Sequence, residues 1–133
     1  MYQIRARISL AGAILLLATA TQAAQHNQSD LDFIARMNKE ATDMYEQANK
    51  LDAKLAAVDK QEDGRKKRNQ IRDNIKMFKS QVRDEQKHLD GKDFKKEKSR
   101  KDQEKRMAKM QEQLRQIEAD MYVLGYAPKP GHN

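Results

Sequence analysis

The side chains in this sequence best suited to hold a metal ion or to move a proton are histidines and carboxylates. His26, His88 and His132 lie in an N-terminal stretch, in the middle of the chain and in its C-terminal tail. In "EQKH", Glu85 and His88 are three residues apart, a spacing that helical di-iron proteins use twice, together with glutamates from other helices. The sequence has one copy and no counterpart. We therefore predict no metal ion and no cofactor, and interpret the pair as a solvated surface contact.

No catalytic residue is predicted. The sequence has no nucleophile motif, no glycine-rich phosphate loop and no HExxH motif, so we interpret the chain as a non-enzyme. It contains no cysteine, which excludes disulfides, thiolate zinc sites and a bacterial lipid-anchor cysteine.

Lysine and arginine are the other residues whose pattern indicates chemistry, in this case the binding of anions. They cluster in "GRKKR" at 64–68 and in "KKEKSRKDQEKR" at 95–106, where seven residues are basic and three are acidic. The candidate anion-binding residues are Arg65, Lys66, Lys67, Arg68, Lys95, Lys96, Lys98, Arg100 and Lys101.

The second basic run has two interpretations. On a helix it would pair with itself, Glu97 with Lys101 or Arg100 and Asp102 with Arg106, and we prefer a solvated helix that projects from the packed part. The alternative is a surface for anionic lipid, lipopolysaccharide or an acidic protein. Nucleic acid is not expected, because no aromatic residues are interleaved to stack on bases.

The N-terminus, "MYQIRARISLAGAILLLATATQAAQ", has the order of a signal peptide: two arginines, an apolar run and small residues. The run is about eleven residues, shorter than the roughly 20 that cross a bilayer as a helix. We predict cleavage after Ala23, with Ala20 and Ala24 as alternatives, and a retained anchor as the rival interpretation. The mature chain would then be periplasmic or secreted, without a transmembrane span.

Removing residues 1–23 takes away two of the 27 basic residues and leaves all twenty acidic ones, so the net charge falls from +7 to +5. Residues 60–106 hold eighteen basic and ten acidic residues, which makes the middle of the chain its basic part. Few aromatic or β-branched residues alternate, and Lys, Glu, Gln, Ala and Met dominate, which favours helices throughout.

Three apolar stripes at steps of three and four residues predict three helical segments, at about 30–63, 65–90 and 93–124. The first stripe is Ile34, Met37, Ala41, Met44, Ala48, Leu51, Leu55 and Val58; the second is Ile71, Ile75, Phe78, Val82 and Leu89, with Glu85 in the gap; the third is Met107, Met110, Leu114, Ile117, Met121 and Leu124.

The expected boundaries follow from capping residues. Ser29, followed by Asp32, is the predicted N-cap of the first segment after a linker at 24–29. Gly64 is expected to end that segment, Asp93 to cap the third, and Gly125 to end it before a flexible tail at 125–133.

The fold class is therefore all-α, as an elongated antiparallel bundle of three helices or a coiled-coil hairpin whose second arm is kinked at Gly91. The apolar stripes together make a small core, so self-association is plausible. In composition and gross architecture the chain resembles long-helix periplasmic chaperones and adaptor coiled coils, which implies the holding of other envelope proteins. The predicted partner-binding seam is Ile34, Met37, Met44, Leu51, Leu55, Met107, Met110, Leu114 and Ile117. The alternative function is binding to an anionic envelope surface.

Overall fold

The computed structural model describes residues 27–58 and 60–126. Within them the chain forms three α-helices and no β-strand: α1 Gln28–Ala57, α2 Arg65–Leu89 and α3 Glu97–Val123. The predicted signal peptide, linker residues 24–26 and tail residues 127–133 lie outside the described residues. None of the described helices has the length and hydropathy needed to cross a bilayer.

The helices run up, down and up. Gln86 near the end of α2 donates to Thr42 Oγ1 of α1 at 3.1 Å. Arg83, which precedes Gln86, lies over the ring of Tyr45, which follows Thr42, so α1 and α2 are antiparallel. Gln47 of α1 donates to Glu118 of α3 at 2.9 Å, and nearer the starts of both helices Arg36 pairs with Glu104 at 3.2 Å, so α1 and α3 are parallel. The prediction of three packed helices is confirmed. The α1–α2 contact is the most extensive, and α3 packs less closely on each of them.

The core consists of the three predicted stripes. All their residues are buried except Val58 and Leu124, which are half-buried near the ends of their helices. Each large apolar side chain removed from water stabilises the fold by roughly 1.5–3 kcal/mol. Phe33 and Phe94 add to the core outside the predicted stripes, with ring centroids 4.9 Å apart. Phe94 precedes α3, so the α2–α3 connection itself contributes to the core.

Two predicted boundaries of α1 are wrong. Its N-cap is Asn27, whose Oδ1 accepts from the Asp30 backbone N–H at 2.8 Å, so the helix begins before Ser29. It ends at Ala57, well before Gly64. Gly64, at φ 77°, instead lies immediately before α2 as that helix's N-cap.

The third helix also begins later than predicted. Asp93 does not cap it: Asp93 Oδ1 accepts from the Lys95 N–H at 2.9 Å in a local turn, and α3 begins at Glu97. Its predicted end is confirmed. Gly125, at φ 82°, follows the helix, and backbone bonds from Gly125 to Tyr122 and from Tyr126 to Met121 form a Schellman motif.

The basic run at 95–106 does not project from the bundle. Gln103 is 1% exposed, and Arg106 reaches across to α2 instead of pairing with Asp102, which pairs with Lys98 at 3.0 Å. The predicted pair of Glu97 and Lys101 is present at 4.0 Å. Because its inner residues bond other parts of the chain, this run forms part of the packed structure.

Candidate functional site

Glu85, which fills the gap in the second stripe, is the buried centre of a polar cluster whose other members reach the surface, except for the buried Gln103. Its carboxylate accepts from Lys92 Nζ at 3.0 Å, from Gln103 Nε2 at 2.7 Å and from Arg106 Nη2 at 2.8 Å. Lys92 also donates to Gln103 Oε1 at 2.8 Å. The donors come from the α2–α3 connection and the first turns of α3, so one carboxylate fixes both to α2.

Burial by itself would raise the pKa of Glu85, but hydrogen bonds from Arg106, Gln103 and Lys92 outweigh it and lower that pKa to about 2. The carboxylate is therefore ionised and fully engaged at neutral pH. His88 is exposed and lines the same open groove as Glu85, but the described residues contain no group of three or more metal-ligating side chains. The interpretation of Glu85 as a solvated contact is wrong.

Arg100 makes the second link across the bundle. It donates to Asp30 Oδ1 at 3.0 Å, to Ser29 Oγ at 2.9 Å and to the Phe94 carbonyl at 2.6 Å. Its guanidinium also lies 5.4 Å from the centre of the Phe33 ring. The structure thus places Arg100, predicted as an anion-binding residue, in a contact between α3 and the start of α1.

Arg68 is likewise internal. It is fully buried and donates to the backbone carbonyls of Asp63, at 2.5 Å, and Gln61, and to the Tyr126 hydroxyl at 3.4 Å. These bonds hold the α1–α2 connection against the end of α3. A buried guanidinium that is engaged in this way is not presented to an external anion.

The other predicted anion-binding residues are exposed but divided between two places. Arg65, Lys66 and Lys67 lie at the start of α2, and Arg65 pairs with Glu62 at 2.7 Å. The residues Lys95, Lys96, Lys98 and Lys101 lie beyond its other end. A 25-residue helix is about 37 Å long, so the two groups do not form one patch.

The predicted partner-binding seam lies entirely in the core. All nine of its residues are 7% exposed or less. Contact between these side chains and another protein therefore requires the bundle to open, and that role stays a prediction.

A basic surface that we did not predict runs along α2. The helix holds nine basic and three acidic residues, and at 100° per residue seven of its positions share an arc of about 80°. Six of the seven are basic and form what we call the basic stripe: Arg65, Arg72, Lys76, Lys79, Arg83 and Lys87. The steps of three, four and seven residues between these positions indicate one face of a helix and could have predicted the stripe. We missed this spacing because the basic residues are denser in the runs at 64–68 and 95–106.

The edge of α1 next to this stripe is uncharged for most of its length. Gln86 bonds Thr42, which identifies the edge that continues through Tyr45 and Asn49. Asp52 is the first acidic residue along it. Because this edge of α1 has no carboxylate before Asp52, the charges in the C-terminal half of the stripe are not neutralised from that side.

Four members of the stripe have no ion pair with any residue that the structure describes. Arg65 pairs with Glu62 and Arg72 has an interaction of its own. Among residues 27–58 and 60–126, no carboxylate lies within ion-pair distance of the remaining four, which are Lys76, Lys79, Arg83 and Lys87. These four are the part of the stripe that is open to an external anion.

The opposite side of α2 is different. There Asn74, Met77 and Gln81 face α3 across a shallow groove of about 210 Å³, with Phe78 and Ile117 at its floor. The two flanks of α2 thus differ in character, with one cationic and the other carrying amide and thioether groups.

Comparison with known protein families, with curated proteins and with solved structures gives no match. The functional argument therefore depends on the chemistry of the surfaces described above.

Proposed function

We propose that the chain is an exported, non-enzymatic helical protein that docks on an anionic surface of the cell envelope through the basic stripe of α2. The observation that supports this proposal is the row of four cations on α2 for which the described part of the chain contains no carboxylate partner. The three apolar stripes, by contrast, are buried in the core, so charge is the main feature of the face of α2 that carries the basic stripe.

The energetics suit reversible, salt-sensitive attachment. Each lysine or arginine near an anionic lipid surface contributes about 1 kcal/mol at low salt, so four contribute enough for peripheral binding. The stripe lies on a packed helix and needs no conformational change to meet a surface. Its attraction weakens as ionic strength rises, since the Debye length is about 10 Å at 0.1 M salt and 3 Å at 1 M.

Flotation of the mature protein with anionic vesicles tests the proposal. The stripe variant carries four substitutions: Lys76→Gln, Lys79→Gln, Arg83→Gln and Lys87→Gln. We expect it to lose vesicle affinity by roughly a hundredfold or more at low salt, and the wild-type protein to be released at ~0.5 M salt.

A matched control removes the same number of charges from the other basic region, as Lys95→Gln, Lys96→Gln, Lys98→Gln and Lys101→Gln. This variant should retain most of its affinity. Equal losses in the two variants would mean that net charge, and not the stripe, determines binding, and the proposal would be wrong.

Holding of other envelope proteins remains a second candidate function. The observation that favours it is the smaller contact of α3 with each of the other two helices. In addition, the core contains several methionines from α1 and α3, which can adapt to different partners. The predicted seam would serve this function only when α3 moves away from α1 and α2.

A further inference from the structure

Within the basic stripe, Lys79 and Arg83 differ from their neighbours because both contact one aromatic ring of α1. The Arg83 guanidinium carbon lies 3.9 Å from the centre of the Tyr45 ring, and Lys79 Nζ lies 5.1 Å from it. The two charges are therefore at most about 9 Å apart, the sum of these distances. The ring attracts each cation and holds both at one place on the α1–α2 boundary.

Two like charges at this separation repel each other, and within the described residues no carboxylate pairs with either of them. Arg83 donates one bond to Gln86 Oε1 at 3.2 Å, which fixes the guanidinium and leaves further N–H groups for another acceptor. Lys79 is half-buried and Arg83 is exposed. Lys79 and Arg83 thus present two positive charges and several hydrogen-bond donors to solvent at a fixed place on the surface.

We propose that Tyr45, Lys79 and Arg83 form a binding site for the phosphomonoester headgroup of a lipid. This inference rests on the proposed function and specifies its ligand. A phosphomonoester carries about −1.5 to −2 charges near neutral pH and three strong acceptor oxygens, which matches two cations. A phosphodiester carries a single charge and matches the site less well. Lys76 and Lys87 supply general attraction from either side.

The experiment compares two sets of vesicles with equal zeta potential, one containing phosphatidic acid and the other phosphatidylglycerol. The wild-type protein should bind the phosphatidic acid vesicles about tenfold more tightly, the value of one additional charge-assisted hydrogen bond. The double variant Lys79→Gln, Arg83→Gln should bind the two sets equally. The matched double variant Lys76→Gln, Lys87→Gln should bind both more weakly but keep the preference.

Tyr45 is a positioning residue in this site. Its variants distinguish the effect of the ring on the two cations from an effect on the packing of the helices. Tyr45→Phe keeps the ring and should keep the preference, whereas Tyr45→Leu should abolish it while circular dichroism confirms the helical fold. If wild type binds both vesicle sets equally, the phosphomonoester site is wrong and the proposed function stands. If wild type binds neither set, both are wrong. If inorganic phosphate competed for the site as strongly as the phosphomonoester lipid does, the assignment to a lipid headgroup would be wrong.

Discussion

At the scale of single residues, the acidic position in the second stripe shows what a sequence pattern contains and what it omits. The periodicity puts Glu85 in the row of the second stripe, but we interpreted it as a solvated contact, and the structure shows that it is buried. Its donors could not be identified in the same way. Lys92, Gln103 and Arg106 meet the carboxylate only because a turn follows Leu89 and α3 folds back with a particular register, and no local pattern specifies that register.

Glu85→Gln tests this cluster. The folded-state pKa of Glu85, about 2, lies below its ordinary value of 4.5, so the carboxylate adds stability that is present above pH 5 and lost as the pH falls from about 5 toward 2. The full contribution is of the order of 2–3 kcal/mol. We expect urea unfolding of the wild type to show this loss across that range, and the variant to be less stable at pH 7 but much less sensitive to acid.

His88→Gln is the control for that experiment, because His88 is near the cluster in sequence but exposed. It should leave the acid limb of the stability profile unchanged. A wild-type stability that stays constant between pH 5 and pH 2 would contradict the ionised, hydrogen-bonded state of Glu85.

At the scale of elements, the sequence predicts that three helices exist and which face of each is buried, because these properties depend on local periodicity. It fails at boundaries where two neighbouring residues can do the same task. Asn27 and Ser29 are both good N-caps, and the structure uses Asn27 while the Ser29 hydroxyl accepts from Arg100. That choice depends on α3, which lies about 70 residues further along the chain.

The end of α1 has a comparable cause. Leu55 is its last fully buried residue, and beyond it the chain has no core contact to gain from further turns of helix. The carbonyls of Gln61 and Asp63 then accept from Arg68. The helix therefore ends six residues before the predicted position, and Gly64 serves the next helix.

Gly64→Ala tests this role of the α1–α2 connection. Gly64 has φ 77°, where a Cβ is strained even though its nearest neighbours would be 3.6 Å away or more. We expect a loss of about 1–2 kcal/mol in the free energy of unfolding. Gly91 provides the control, because its φ is not in the left-handed region and a Cβ would meet only the His88 carbonyl at 3.9 Å. Gly91→Ala should be neutral or slightly stabilising; equal losses would contradict the argument.

At the scale of the whole molecule, the three helices divide the available chemistry between them. Most large apolar side chains are buried in the core, many charges on α3 bond inward or to each other, and a row of cations without an ion pair among the described residues lies along α2. The sequence predicts the basic middle of the chain. It does not by itself show which charges remain open, because ion pairs such as Arg106 with Glu85 form only in the folded bundle.

Cross-linking separates the two candidate functions at this scale. Gln47 and Glu118 are hydrogen-bonded across α1 and α3, and the natural chain has no cysteine, so Gln47→Cys with Glu118→Cys can be joined by a short bis-maleimide. The joined bundle should bind anionic vesicles as well as wild type does. If the holding of other proteins needs α3 to move, the joined bundle should fail to suppress aggregation of an unfolded protein. The control is the same double-cysteine variant without the cross-linker. Loss of vesicle binding in the joined form would contradict a preformed stripe.

Methionine enters the described core only from α1 and α3, at positions 37, 44, 107, 110 and 121, whereas α2 contributes Ile, Phe, Val and Leu. Met77, on the outer side of α2, is 62% exposed. An oxidant would therefore convert Met77 to its sulfoxide first, at little cost, while the same oxygen on a core methionine would put a polar group between the two parallel helices. The stability of this bundle thus depends on which of its methionines have been oxidised as well as on its sequence.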